Sequence, residues 1–147
     1  MTAAAQKDIN ITSKGTFTAD RLSSAEGYVN ITVADNSNLH ILDTQVNKGM
    51  NLRGSKVALD QVVHTGDSML TMDISGVNET MADQVTVNVT SPKGVQFNNL
   101  KADQATIKGN TNRLDMRNTL TGTRAEMSNN YYTVVADNNP PQSIAGS

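Results

Sequence analysis

The chain has 147 residues, 12 basic and 14 acidic, for a net charge of −2. That length fits one domain, and so small a charge makes no electrostatic case for nucleic acid, which needs a basic patch. Cysteine is absent and aromatics are 3% of the chain, which excludes disulfide frameworks, thiolate catalysis and cysteine-ligated metals and removes most aromatic platforms for sugars or unpaired bases.

Asn, Thr and Asp dominate instead, at 17, 17 and 11 residues. This composition disfavours an enzyme with a compact aromatic core, and no enzymatic activity is expected. Residues 1–8 form a short Ala-rich lead. It has no basic start followed by an apolar stretch, so it does not read as a signal peptide. No run approaches ~18 apolar residues, so no membrane span is expected.

From Ile9 onward, alternation of apolar and polar residues, with β-branched residues at the apolar places, predicts strands. An apolar–Asn/Thr–apolar triplet recurs at Ile9-Asn10-Ile11, Val29-Asn30-Ile31, Met50-Asn51-Leu52, Leu70-Thr71-Met72, Val87-Asn88-Val89 and Ala105-Thr106-Ile107, with a weaker copy at Ala125-Glu126-Met127. A second series starts segments at Phe17, Leu39, Val57, Val77, Val95 and Leu114. A third, looser series runs through Leu22, Val46, Val62, Met81, Leu100 and Leu120. The rhythm weakens between Asp73 and Gln84, where Gly76, Asn78 and Glu79 predict an irregular turn or bulge. Residues 137–147 end the strands, because Pro140 and Pro141 cannot extend a ladder. They are expected to be a linker or a capping loop.

Three series sharing a period of about 19–20 residues predict an all-β fold, a parallel β-helix of about seven coils over residues 9–136. A single coil cannot bury its apolar face, whereas stacked coils give the inward Val, Ile, Leu, Met and Phe a continuous dry core. Asn10, Asn30, Asn51, Thr71, Asn88 and Thr106 are expected to stack outward as a ladder at ~4.8 Å, with side-chain amides bonding along it. An antiparallel sandwich also needs alternating strands, but its tight hairpins favour Asn-Gly or Asp-Gly, and neither dipeptide occurs. Gly instead follows Lys at Gly15, Gly49, Gly94 and Gly109, as suits bends between coil faces.

Candidate sites are few. Asp20, Asp43, Asp60, Asn99 and Asn118 fall at roughly corresponding places after the second strand. A column of carboxylates could hold Ca2+, which takes six to eight oxygens, so Asp20, Asp43 and Asp60 are weak metal candidates. Asp and Asn also suit bends for purely local reasons, and the Gly-Gly-x-Gly-x-Asp repeat of calcium β-rolls is missing. No cofactor is therefore expected, with Ca2+ the alternative. No catalytic residue is assigned: acids are scattered singly, and His40 and His64 lie on different coils without a partner motif. Four Asn-x-Thr sequons, at Asn10, Asn30, Asn78 and Asn88, follow largely from the Asn/Thr alternation.

The copies KDINITSKGTFTAD, GYVNITVADNSNLHILDTQV, GMNLRGSKVALDQV and DQATIKGNTNRLDM resemble coils of large secreted bacterial exoproteins. In style they are similar to the repeat regions of filamentous haemagglutinin-like adhesins, including leukotoxin-type exoproteins. The resemblance runs from about Lys7 to Val135 and is one of repeat grammar. It implies a right-handed parallel β-helix, export through a partner outer-membrane pore, and a role in adhesion or matrix building at the cell surface. The chain lacks the N-terminal secretion domain of that family and is far shorter, as a segment of a longer chain would be. The expected role is a structural rod of an extracellular adhesin or matrix fibre, which stacks end to end on like segments and inserts in no membrane. The alternative is a carbohydrate-active β-helix, such as a phage tailspike or polysaccharide lyase fragment. An intracellular polymerising scaffold like bactofilins is a third class, usually richer in short Gly–Ile turns.

Overall fold

The structure, a computed structural model, describes residues 1–111, 113–117, 119–129, 132–135 and 145–146, with side-chain environments up to Thr119. Among these residues every strand pairing is parallel. The chain is a β-solenoid of about six turns, with one short 3-10 turn, Val77–Glu79, as its only helical element among them. Parallel pairing without intervening helices forces each strand to return above itself by turning corners, and a sandwich of antiparallel hairpins is excluded.

Three faces make up a turn. The first carries Ile9–Ser13, Tyr28–Val33, Gly49–Arg53, Leu70–Ser75, the start of Val95–Thr111, Arg113–Met116 and Tyr132–Val135. The second carries Phe17–Ala19, Asn38–Ile41, the first half of Lys56–His64, the first half of Ala82–Ser91, the middle of Val95–Thr111 and Thr119–Asn129. Thr2–Ala5, Arg21–Ser24, Thr44–Val46 and the ends of the long strands make the third. Lys56–His64, Ala82–Ser91 and Val95–Thr111 run round corners as single strands, their pairings shifting register at bulges on the way.

Alternation sends every second residue to the axis. On the first face Ile9, Val29, Met50, Met72, Phe97 and Met116 lie in register and are buried. On the second face Ala19, Ile41, Leu59, Val87 and Ile107 do the same. The burial of each such side chain contributes roughly 1.5–3 kcal/mol, and neighbouring turns contribute it jointly, as in other solenoids.

The turns are unequal. The first-face column Ile9, Val29, Met50, Met72, Phe97, Met116, Val135 has steps from 19 residues (Phe97 to Met116) to 25 (Met72 to Phe97). The longest step contains the irregular stretch foreseen around Gly76–Glu79, where Asn78 and Glu79 have φ of 57° and 59°. This insertion corrects the expected columns. The triplet series keeps to the first face at Asn10, Asn30, Asn51 and Thr71 but passes to the second at Thr106, which pairs with Thr86. The series Phe17, Leu39, Val57 changes in the opposite sense, to the first face at Val95 and Leu114. The seven copies counted along the sequence therefore span two faces, and the windings number about six.

Candidate functional site

Outward side chains of the first face form a polar strip. Asn30 donates from Nδ2 to Asn10 Oδ1 at 2.9 Å, and Asn51 donates from Nδ2 to Asn30 Oδ1 at 2.7 Å. Both bonds point toward the N-terminal coil. A parallel in-register ladder sets identical side chains one strand spacing apart, which is the distance an amide bond spans. Thr71 is not the next rung. It pairs with Gly49, and Asp73 takes the place opposite Asn51. A bulge between Met72 and Asp73 then brings Asn99 rather than Asn98 beside Asp73. Asp73 Oδ1 accepts from Arg53 Nη1 at 2.7 Å and from Asn99 Nδ2 at 3.1 Å. Arg53 also donates to the Leu52 and Asp73 carbonyls. The strip is thus Asn10–Asn30–Asn51 followed by Arg53–Asp73–Asn99. Asn88 and Thr106 lie elsewhere, Asn88 opposite Lys108 and Thr106 in the second-face column.

The three candidate metal carboxylates do not converge. Asp20 lies 3.1 Å from the Met1 amino group, Asp43 3.9 Å from Arg21 Nε, and Asp60 Oδ1 2.9 Å from His40 Nε2. Each has a different partner, and Leu42 stands between Asp20 and Asp60 in their column. Among the described residues no group of three His, Asp or Glu could hold a metal ion. Asn99 belongs to the polar strip instead, and Asn118 lies outside the described residues.

The two histidines differ. His40 is half-buried on the outer surface, beside Asp60. His64 is an interior residue, 4% exposed, stacked between Val46 and Ser91 on the third face. Its Nε2 lies 2.9 Å from the Asn47 carbonyl and its Nδ1 2.7 Å from Ser91 Oγ. A carbonyl only accepts, so Nε2 carries a proton; the Ser91 hydroxyl donates to the Gly94 carbonyl at 2.9 Å, with Nδ1 against the same hydroxyl oxygen. Burial pushes its pKa below the usual histidine value, partly opposed by the bond to the Asn47 carbonyl. Ser24 answers the same need two coils earlier, donating to the Lys7 carbonyl at 2.6 Å. Inward polar residues thus satisfy backbone groups where the third face turns into the first.

That corner also holds a hollow on the surface. Between Val46 and Gly49 the corner takes two residues, but between His64 and Leu70 it takes five, Thr65 to Met69. The longer loop stands out from the wall and encloses about 450 Å3 with Tyr28, Asn47 and Lys48. Gly49 and Thr71 lie beneath. A Cβ at Gly49 would collide with the Thr71 hydroxyl and lie 3.1 Å from Tyr28 Cε2, so the bare glycine lets the ring cross the strand. Nothing in the repeat grammar marked these residues. The available signal was the turn-forming cluster Gly66-Asp67-Ser68, since the step from Asn51 to Thr71 is no longer than those before it.

No family model, curated protein or solved structure matches the chain. No helix among the described residues is long and apolar enough to cross a membrane.

Proposed function

We propose that this chain is a structural rod segment of an extracellular bacterial adhesin or matrix fibre, working through stiffness and stacking. The single observation that carries this reading is the open edge of the first coil. Thr2–Ala5, Ile9–Ser13 and Phe17–Ala19 each pair on one side only. Their inward residues Ala3, Ala5, Ile11 and Phe17 are only partly buried. Asn10 accepts from Asn30 while its own Nδ2 donates to no described residue. Backbone groups, apolar side chains and an amide are therefore all presented to a further coil of the same kind. Such edges invite pairing unless blunted by charge or proline, and solenoid ends ordinarily need capping.

The chemistry of the wall agrees with a mechanical role. Polar side chains along its first face bond to one another from coil to coil, in the Asn ladder and the Arg53–Asp73–Asn99 group. Electron microscopy and sedimentation of the purified chain at rising concentration test the proposal. Filaments or linear oligomers growing with concentration are expected, and discrete monomers at the highest concentration would sink it.

A further inference from the structure

We propose that the hollow at the Thr65–Met69 corner binds a neutral saccharide unit. This goes beyond the rod and does not depend on its stacking. The volume of about 450 Å3 lies within the range of small-ligand pockets, ~300–1,000 Å3. Its lining combines one aromatic ring, Tyr28, and the thioether of Met69 with short polar groups. A sugar ring has the same division: an apolar C–H face and a rim of hydroxyls that both donate and accept. An aromatic side chain offers a flat apolar body for the first, with a polar tip.

The polar rim makes no bonds of its own, although Lys48 lies within electrostatic reach of the Glu26 carboxylate. Among the described residues the Asn47 amide, the Lys48 ammonium, the Asp67 carboxylate and the Ser68 hydroxyl make no side-chain hydrogen bond or ion pair; the Asn47 carbonyl is the group used by His64. They supply donors only (Lys48), acceptors only (Asp67) and both (Asn47, Ser68). One positive and one negative group give no net attraction for an anion or a cation, which favours an uncharged polyol. Elsewhere on the first face the corresponding polar groups bond to one another. The hollow contains a single carboxylate, whereas glycoside cleavage uses two flanking acids, so the inference is one of binding.

Heteronuclear NMR of the labelled chain, with lactose, maltose and chitobiose as neutral probes and galacturonate as the charged one, tests it. Saturable shifts of the Lys48, Gly49, Asp67, Ser68 and Thr71 amides with at least one neutral probe are expected. Tyr28→Ala should weaken binding about tenfold. Asp67→Ala, on the exposed loop, should weaken it measurably while leaving the remaining spectrum in place, and it decides the matter should Tyr28→Ala perturb the fold. Three results would overturn the proposal: no saturable shift with any neutral probe, shifts that survive Asp67→Ala unchanged, or tighter binding of galacturonate than of the neutral sugars.

Discussion

Thr44 and His64 show how polar residues are treated inside a dry solenoid. Thr44 sits in the inward column between Leu22 and Val62, fully buried, and its Oγ1 has no partner. A buried hydroxyl without a bond costs about 1–3 kcal/mol. Thr44→Val keeps the branched shape, so chemical denaturation should show a gain of about 1 kcal/mol; a loss would mean that the hydroxyl is bonded. His64 instead donates from Nε2 to the Asn47 carbonyl, and burial disfavours its charged form. Its folded pKa lies below the unfolded value near 6.5, so the unfolded chain takes up the proton first. Stability is thus full above about pH 6.5 and declines as pH falls toward and through the folded value. Melting temperature followed from pH 8 to pH 5 should drop, and His64→Gln should flatten that slope. An identical slope in the variant would remove His64 as its cause.

Strands in this fold are joined by corners, and the corners set the register. Gly109 lies in the long Val95–Thr111 strand, opposite Val89, with φ of 139°. A Cβ there would overlap the Val89 carbonyl, so no small shift of a side chain can relieve it. Gly109→Ala should cost on the order of 3–5 kcal/mol, the range of the severe substitutions, read as a large fall in melting temperature; a near-wild-type melt would show that the two coils are not in contact there. The bulge of Asp60 and Gln61 opposite Asn88, and the one that places Asn99 beside Asp73, adjust register in the same way. Each adds a residue in one coil and leaves the inward faces of both coils aligned.

At the scale of the whole solenoid, the first coil has an edge that pairs on one side only. Ile11 is half-buried at the open edge and points toward the axis. Ile11→Lys would set a charge on that end, a device by which natural sheets discourage edge pairing. Its stability cost should stay near 1 kcal/mol, because Ile11 is only partly buried. Sedimentation should then show loss of concentration-dependent growth with nearly unchanged melting. Growth equal to that of the unmodified chain would place self-association on another surface.

Alternation from Ile9 onward, β-branched apolar residues and a recurrence near twenty residues were enough to specify strands, parallel stacking, a central core and the first three rungs of the Asn ladder. The later rungs were not legible. Each of the three faces bears the same short alternation, so a shift by one face leaves the apparent period almost intact, and Thr106 and Val95 look in place when they have changed sides. Only the paired backbone shows that the Gly76–Glu79 excursion causes the exchange and that Asp73 replaces Thr71. The hollow beside Tyr28 was equally hidden, since it joins residues from three coils whose proximity depends on stacking. Local pattern dictates which residues turn inward, because burial favours every second side chain. Which residues become neighbours depends on the lengths of the corners, and those act only once the coils lie on one another.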